Sequence, residues 1–273
     1  MNIIVTGATG SIGNAAVQML RKEGHTVIGT SRRAEHEGFH PLDISSPASI
    51  EAFVRSLASD NIRIDGLLNN AGTMQRHYHT TPDGHELVTA TNYLGTYLLT
   101  RQLLPLMNPG AHIVFTISLS CHIAHLDDHF LTPNPDRFSQ LRTYANSKMA
   151  VLLFAEELHR RMGKSLVVHL TDPGIVNSRM IHLDRWFDPL TDLIFRPFTH
   201  TPQQGALPAV NALLHTPSES SESDTTQQLA PLLLFRNHKH RPLPRYWQKP
   251  QLAQWLWEET EKLLFKYKKP PLN

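Results

Sequence analysis

The chain has 273 residues, a formal net charge of +2 and a single cysteine, and 40% of its residues are hydrophobic. These values predict one globular domain over residues 1–273 and exclude a disordered chain, an internal disulfide and a cysteine zinc cage. Because the basic residues are spread along the chain and no apolar stretch is long enough to span a bilayer, we expect no nucleic-acid partner, no membrane span and a cytoplasmic location.

The chain opens on an apolar strand that runs directly into a glycine-rich turn, "MNIIVTGATGSIG". Apolar residues then recur at helical spacing from Ser11 to Glu23. Glycines in such a strand-to-helix turn let the backbone approach a pyrophosphate, whose charge faces the free N–H groups of the helix. A purely structural tight turn is the alternative, and the spacing is G-x-x-G-x-x-G rather than G-x-G-x-x-G.

A second apolar strand, "HTVIG", leads into the basic segment "TSRRAEHEG". A protein that binds NAD places Asp or Glu near this strand end to accept a hydrogen bond from the ribose 2′-hydroxyl. Here Arg32 and Arg33 suit a 2′-phosphate, so the sequence favours NADP(H) over NAD(H). A solvated basic loop is the alternative interpretation.

Strand and helix patterns alternate through the rest of the chain. The strand patterns "FHPLDI", "IDGLLNNAG", "AHIVFTIS" and "SLVVHLTDPG" are separated by helices over 47–59, about 83–106 and 144–162. This alternation predicts an α/β fold of one domain, a doubly wound parallel sheet of the Rossmann type with helices on both faces. Ligands bind at the carboxyl ends of the strands in such sheets. A closing amphipathic helix is predicted over residues 251–267.

Tyr144 and Lys148 stand four residues apart in "YANSK" and therefore share one helix face. A phenol with a pKa of about 10 is a poor acid-base catalyst at neutral pH. We expect the neighbouring ammonium to lower the pKa of the tyrosine by favouring the phenolate. The pair alone is common in helices, and its position after the fifth strand makes it informative.

The motifs together resemble the short-chain dehydrogenase/reductase family. "TGATGSIG", "NNAG", "TNYLGTYLLT", "IVFTIS", "YANSK" and "DPGIVNS" stand in the order of that family, from about residue 1 to 265. Within the family the chain is most similar to the retinol-dehydrogenase-like branch. The resemblance implies an NADP(H)-dependent oxidoreductase that interconverts a carbonyl and an alcohol by hydride transfer.

The resemblance also implies a role for each matching residue. Tyr144 would exchange a proton with the substrate oxygen, and Lys148 would hold the nicotinamide ribose and tune the tyrosine. Ser118 would hydrogen-bond the carbonyl, with Ser120 open as an alternative, and Asn92 would support a proton-relay water. The implied cofactor-binding residues, besides Tyr144 and Lys148, are Gly7, Thr9, Gly10, Ser11, Ile12, Gly13, Ser31, Arg32, Arg33, Asp43, Ile44, Asn70, Ala71, Gly72, Pro173, Gly174, Ile175 and Ser178.

Large apolar side chains are frequent in residues 175–200, the substrate lid that the resemblance implies. Such a lid suits a lipophilic substrate, for example a retinoid or a steroid-like compound. Packing on the body of the protein or a homodimer contact is the alternative. Among the 17 histidines, His77 and His79 share one loop and His122, His125 and His129 share another. We interpret these as loop residues near the substrate entrance rather than as metal ligands, so we expect no metal site.

Two other functions stay open at this stage. The spacing of Gly7, Gly10 and Gly13 resembles that of NmrA-like regulators, which sense NADP(H) without turnover. Such sensors typically lack the Tyr-x-x-x-Lys pair that this chain keeps. Nucleotide-sugar epimerases and dehydratases resemble longer chains with a larger carboxyl-terminal substrate domain.

Overall fold

The computed structural model describes residues 1–32, 38–132, 134–174, 200–215 and 231–267, and its centre is one eight-stranded sheet. The strands are β1 (Asn2–Val5), β2 (Thr26–Ser31), β3 (Phe39–Pro41), β4 (Ile64–Asn69), β5 (Met107–Thr116), β6 (Val167–Asp172), β7 (Leu233–Arg236) and β8 (Lys239–Pro242). They lie in the order β3-β2-β1-β4-β5-β6-β7-β8. All neighbours are parallel except β7 and β8, so the predicted doubly wound sheet is confirmed, with an antiparallel strand added at one edge.

Helices cover both faces of this sheet. They are α1 (Ser11–Lys22), α2 (Pro47–Ser59), α3 (Leu87–Thr89), α4 (Gly95–Leu103), α5 (Gln140–Met162), α6 (Pro202–Leu213) and α7 (Pro250–Leu264). Side chains alternate across a strand, so Ile3 and Val5 pack with α1 and α6 while Ile4 packs with α2, α4 and α5. None of the helices in the described ranges is long and apolar enough to cross a membrane.

The helix predicted over 83–106 begins later and is not uniform. Gly84 has a φ of 87°, and the Glu86 carboxylate accepts hydrogen bonds from the first N–H groups of α3. The chain then forms a π-helical turn over Ala90–Leu94, continues as α4 and ends in a 3₁₀ turn over Leu104–Leu106. π-helical turns are rare and occur frequently at functional sites, and this one carries Asn92.

The two later helices extend close to their predicted bounds. α5 begins at Gln140, ahead of the predicted start at residue 144, and ends where Gly163 takes a φ of 57°. The closing helix α7 is followed by a 3₁₀ turn over Phe265–Tyr267, so the prediction over 251–267 agrees with the structure. α7 packs across α4 and α5, where Trp257 contacts the rings of Tyr97 and Phe154.

Candidate active site

The turn between β1 and α1 requires glycine at two points. Gly7 has a φ of 66°, which L side chains rarely adopt, and a Cβ on Gly13 would lie only 2.2 Å from the Gly7 carbonyl oxygen. Gly10 precedes α1 without any side-chain cap, and the first helical turn, which begins with Ser11 and Ile12, contains no acidic residue. The leading N–H groups of α1 therefore have no side-chain acceptor and can bind an anion.

The end of β2 lies against this turn. Ser31 Oγ is 3.3 Å from Thr9 Oγ1, and Ala8 N–H donates to the Thr30 carbonyl at 2.9 Å. Arg32 follows directly and is exposed. Arg33 lies outside the described residues. Of the two predicted guanidinium groups, the structure therefore describes that of Arg32.

The predicted adenine-side residue Asp43 follows β3. Its Oδ1 accepts from the N–H and the hydroxyl of Ser45, at 3.0 and 2.7 Å, and its own N–H donates to Ser49 Oγ at 2.9 Å. Ile44 is buried, and its carbonyl oxygen would lie 1.7 Å from a Cβ at Gly95. The close approach of α4 thus fixes the position of this loop.

Asn70, Ala71 and Gly72 connect β4 to the centre of the site. Thr6 Oγ1 accepts from the N–H groups of Asn70 and Ala71, each at 2.9 Å, which holds the ends of β1 and β4 together. A Cβ on Gly72 would lie 3.4 Å from Lys148 Nζ. The absence of a side chain at residue 72 therefore leaves a space beside the ammonium.

Tyr144, Ser118 and Lys148 come together as the sequence predicts. The Ser118 side chain, just after β5, lies beside the Tyr144 phenol and acts to lower its pKa. Lys148 is 5% exposed, and its Nζ donates to the Thr116 carbonyl at 2.9 Å and lies 5.9 Å from the centre of the Tyr144 ring. Burial lowers the pKa of Lys148 to about 8.

The predicted direction of the Tyr144 pKa shift is wrong in this structure. Burial raises the pKa of Tyr144 to about 12, the neighbouring Ser118 hydroxyl opposes the rise, and the charges of Cys121 and Asp172 add to it. The Lys148 ammonium is directed to a backbone carbonyl instead. Tyr144 is therefore a protonated phenol at neutral pH, which is the form that can donate a proton.

The two candidate serines differ in their surroundings. Ser120 Oγ is buried and has no hydrogen-bond partner in the part of the chain that the structure describes. The Ser120 N–H donates to Ser118 Oγ at 3.2 Å. Because Ser118 is the serine that faces Tyr144, the geometry favours Ser118 over Ser120.

The Asn92 side chain links neighbouring segments of the site through three hydrogen bonds. Its Oδ1 accepts from the Thr73 N–H at 2.7 Å, and its Nδ2 donates to the Thr73 carbonyl and to Ser147 Oγ, each at 2.9 Å. These bonds join the loop after β4 to α5. The implied support of a proton-relay water stays a prediction.

Two buried residues of the site were not among the predicted ones. Asp172, at the end of β6, is 2% exposed; its Oδ1 accepts from the Gly174 N–H at 3.0 Å, and Arg236 Nε lies 3.7 Å from its Oδ2. Burial raises the pKa of Asp172, and burial raises the pKa of the Cys121 thiol to about 11. The "DPG" stretch at a strand end was the available signal for Asp172.

Pro173 and Gly174 lie at the carboxyl end of β6, as predicted. Gly174 has a φ of 71°, and a Cβ there would lie 3.2 Å from the His200 ring. Ile175, Ser178 and the predicted lid up to residue 199 lie outside the described residues. Across the described ranges, no group of three or more His, Cys, Asp or Glu side chains is arranged to hold a metal ion.

Comparison with known proteins shows which protein family this chain belongs to. A family model described as short chain dehydrogenase matches residues 1–185. The chain belongs to the short-chain dehydrogenase family. It is 31% identical over 238 residues to retinol dehydrogenase 14 of Homo sapiens, covering 75% of this chain and 71% of that protein. The predicted family and its retinol-dehydrogenase-like branch are thereby confirmed.

Further relatives agree with this membership. Polyprenol dehydrogenase of Mus musculus is 31% identical over 209 residues, covering 67% of this chain and 62% of that protein. The fold matches a crystal structure of an uncharacterized protein from Mycobacterium paratuberculosis with a TM-score of 0.74 and 25% identity, over 99% of this chain and 95% of that one. This short-chain dehydrogenase is therefore an oxidoreductase acting between carbonyl and alcohol.

The residues present fit the nicotinamide dinucleotide that such oxidoreductases use. The start of α1 lacks a side-chain cap where a pyrophosphate would bind. The space at Gly72 borders the Lys148 ammonium and the Asn92 amide. Both features lie at the carboxyl ends of the parallel strands, where this fold binds its ligands.

Proposed function

We propose that this short-chain dehydrogenase uses NADP(H) to interconvert a carbonyl and an alcohol on a lipophilic substrate, with Tyr144 as its acid and base. The observation that carries the proposal is the cluster in which the half-buried Tyr144 and Ser118 lie with the buried Lys148 beside the space at Gly72. Acid-base catalysis needs a titratable group within hydrogen-bond reach of the reacting oxygen. Among these three residues, the Tyr144 phenol is the titratable group that can give a proton to the substrate oxygen.

The bound nicotinamide supplies the hydride. Reduction places negative charge on the substrate oxygen, so donors that are already in position stabilise it. The Tyr144 hydroxyl gives its proton to that oxygen, and the Ser118 hydroxyl donates a hydrogen bond to it. Lys148 uses one N–H on the Thr116 carbonyl and keeps two donors for the ribose hydroxyls.

The preference for the phosphorylated cofactor rests on Arg32 and Arg33. Arg32 directly follows Ser31, whose hydroxyl contacts the glycine-rich turn. A guanidinium binds a phosphate with paired N–H donors, and no carboxylate occupies residues 30–33 to repel it. Asp43, Asn70, Ala71, Pro173 and Gly174 complete the proposed cofactor contacts.

The lipophilic substrate is supported by the names of two relatives, a retinol dehydrogenase and a polyprenol dehydrogenase, both of which name apolar alcohols. The apolar composition of residues 175–200 agrees with it. We therefore propose a retinoid-like or steroid-like compound. A cytoplasmic location and a homodimer stay predictions from the sequence.

A panel of substrates tests this proposal. Retinal, a ketosteroid and a short aliphatic aldehyde are each offered with NADPH or NADH, and oxidation of the cofactor is followed by its absorbance. We expect turnover of the lipophilic carbonyls, and faster turnover with NADPH. Cofactor binding without turnover of any carbonyl or alcohol would instead support the regulator related to the NmrA-like type.

A further inference from the structure

A second cavity lies on the other side of α5 from the Tyr144–Lys148 pair. Its volume is about 320 Å³, and α5 contributes Arg142, Thr143 and Asn146 to its lining. Arg142 lies two residues before Tyr144 and Asn146 lies two residues after it. At 3.6 residues per turn, each is rotated by about 200° from Tyr144 and lies on the opposite face of the helix. The cavity is therefore separate from the proposed catalytic site.

One wall of this cavity is apolar. Tyr78, from the loop after β4, packs edge-to-face on Phe138 with ring centres 5.9 Å apart. Leu94, Phe130 and Leu131 extend the wall. Small-molecule sites typically combine such a surface with a few polar groups that fix the orientation of the ligand.

The carboxylates of the cavity already have partners. Glu86 accepts from the N–H groups of Val88 and Thr89, at 2.8 and 2.7 Å. Asp127 accepts from the His129 N–H at 3.0 Å, and its other oxygen lies 3.6 Å from Arg137 Nη1. Neither carboxylate therefore needs a cation from a ligand.

Two basic side chains of the cavity have no such partner. Among the described residues, no carboxylate lies within ion-pair distance of Arg142. His85 Nε2 is buried and has no hydrogen-bond partner there either. Arg142 is exposed, so its guanidinium is open to an anion whose apolar body can lie on the neighbouring wall.

We propose that this cavity is a second binding site, which takes an organic carboxylate with an apolar chain. The carboxylate pairs with Arg142, and the chain lies against Tyr78 and Phe138. The proposal does not depend on the catalytic role of Tyr144, because the two sites use different faces of α5.

Calorimetric titration of the full chain with octanoate tests the proposal. Octan-1-ol lacks the charge and inorganic phosphate lacks the chain, so each should bind at least about tenfold more weakly than octanoate. Arg142→Gln should weaken octanoate binding by about tenfold or more. Arg55→Gln, which changes an exposed arginine paired with Glu51 on α2, should leave it unchanged.

Four results would overturn the second site. If the Arg142→Gln variant binds octanoate as tightly as the wild type does, octanoate binds at another place. If saturating NADPH displaces octanoate, octanoate binds in the catalytic cleft. Octanol that binds as tightly as octanoate shows that the charge plays no part, and the absence of saturable octanoate binding removes the site altogether. Circular dichroism of each variant confirms that it is folded before titration.

Discussion

Asp172 Oδ1 accepts a hydrogen bond from the Gly174 N–H at 3.0 Å, which closes the turn around Pro173. Burial is the main cause of the raised Tyr144 pKa, and the charge of this same carboxylate adds to the rise; Arg236 lies 3.7 Å from its second oxygen. One side chain thus shapes the backbone at the end of β6 and influences the proposed proton donor.

Asp172→Asn separates these two effects, because asparagine keeps a carbonyl oxygen for the Gly174 N–H but loses the charge. The Asp172 charge raises the pKa of both Tyr144 and Lys148, so its removal lowers both. We expect the alkaline loss of reductase activity to begin at lower pH in the variant, as measured by kcat between pH 6 and about pH 11. Coincident pH profiles of variant and wild type would show that the charge acts on neither Tyr144 nor Lys148.

Gly13→Ala tests the glycine-rich turn, because its Cβ would meet the Gly7 carbonyl oxygen at 2.2 Å. Backbone atoms must move to accept it, so we expect a loss of about 1–3 kcal/mol in the free energy of unfolding. Gly10→Ala is the matched control, since its Cβ would have a single contact at 3.3 Å and its φ is −73°. Denaturant titration that ranks the two variants equal would contradict this account of the turn.

His169 provides a prediction about acid stability. It is 4% exposed, and both of its ring nitrogens lack a hydrogen-bond partner among the described residues. Burial lowers the pKa of His169 to about 3, and the charges of His112, His215, His159 and His240 lower it further. The folded protein therefore holds this imidazole neutral.

A histidine in the unfolded chain has a pKa of about 6.5. Below that pH, residue 169 therefore binds a proton in the unfolded state but not in the folded state. The stability contributed by neutral His169 is complete above pH 6.5 and declines as the pH falls toward 3. We expect His169→Leu to be neutral or stabilising at pH 7.5 and to flatten the fall of Tm between pH 6.5 and 4.5. Parallel Tm curves for the two proteins would exclude this origin of acid sensitivity.

Arg32→Gln tests the proposed preference for the phosphorylated cofactor. A charge-assisted contact with a 2′-phosphate contributes about 1.5–3 kcal/mol, so the Kd of NADPH should rise about tenfold or more. The Kd of NADH should change little, because NADH carries no phosphate at that position. Arg21→Gln, on α1, is a control arginine that donates to the Val27 carbonyl. Equal losses for NADPH and NADH would reject the assignment.

Local spacing explains which parts of the fold and site could be predicted. The glycine-rich turn and the Tyr144–Lys148 pair depend on neighbours in sequence, and the structure places both as expected. The helix predicted from residue 83 failed at its start, because Gly84 and the Glu86 cap override the apolar pattern. Capping geometry of this kind is weakly encoded in hydrophobic spacing.

Tertiary contacts explain what the sequence did not reveal. The Tyr144 pKa depends on burial and on the charges of Cys121 and Asp172, which come from other strand ends. β7 and β8 are short and become strands through pairing with β6 and with each other. α6, also missed, contains Pro208 within the helix, a residue that normally argues against one.

The central claim is that the Tyr144 hydroxyl transfers the proton, and turnover of Tyr144→Phe measures it most directly. The phenyl ring keeps the packing and removes the donor, so kcat should fall by about 10²–10⁴-fold. The Kd of NADPH should stay within about twofold, and Tyr246→Phe, which changes a tyrosine that is 60% exposed, should keep full activity. Undiminished kcat in Tyr144→Phe would contradict the account, since another group would then carry the proton.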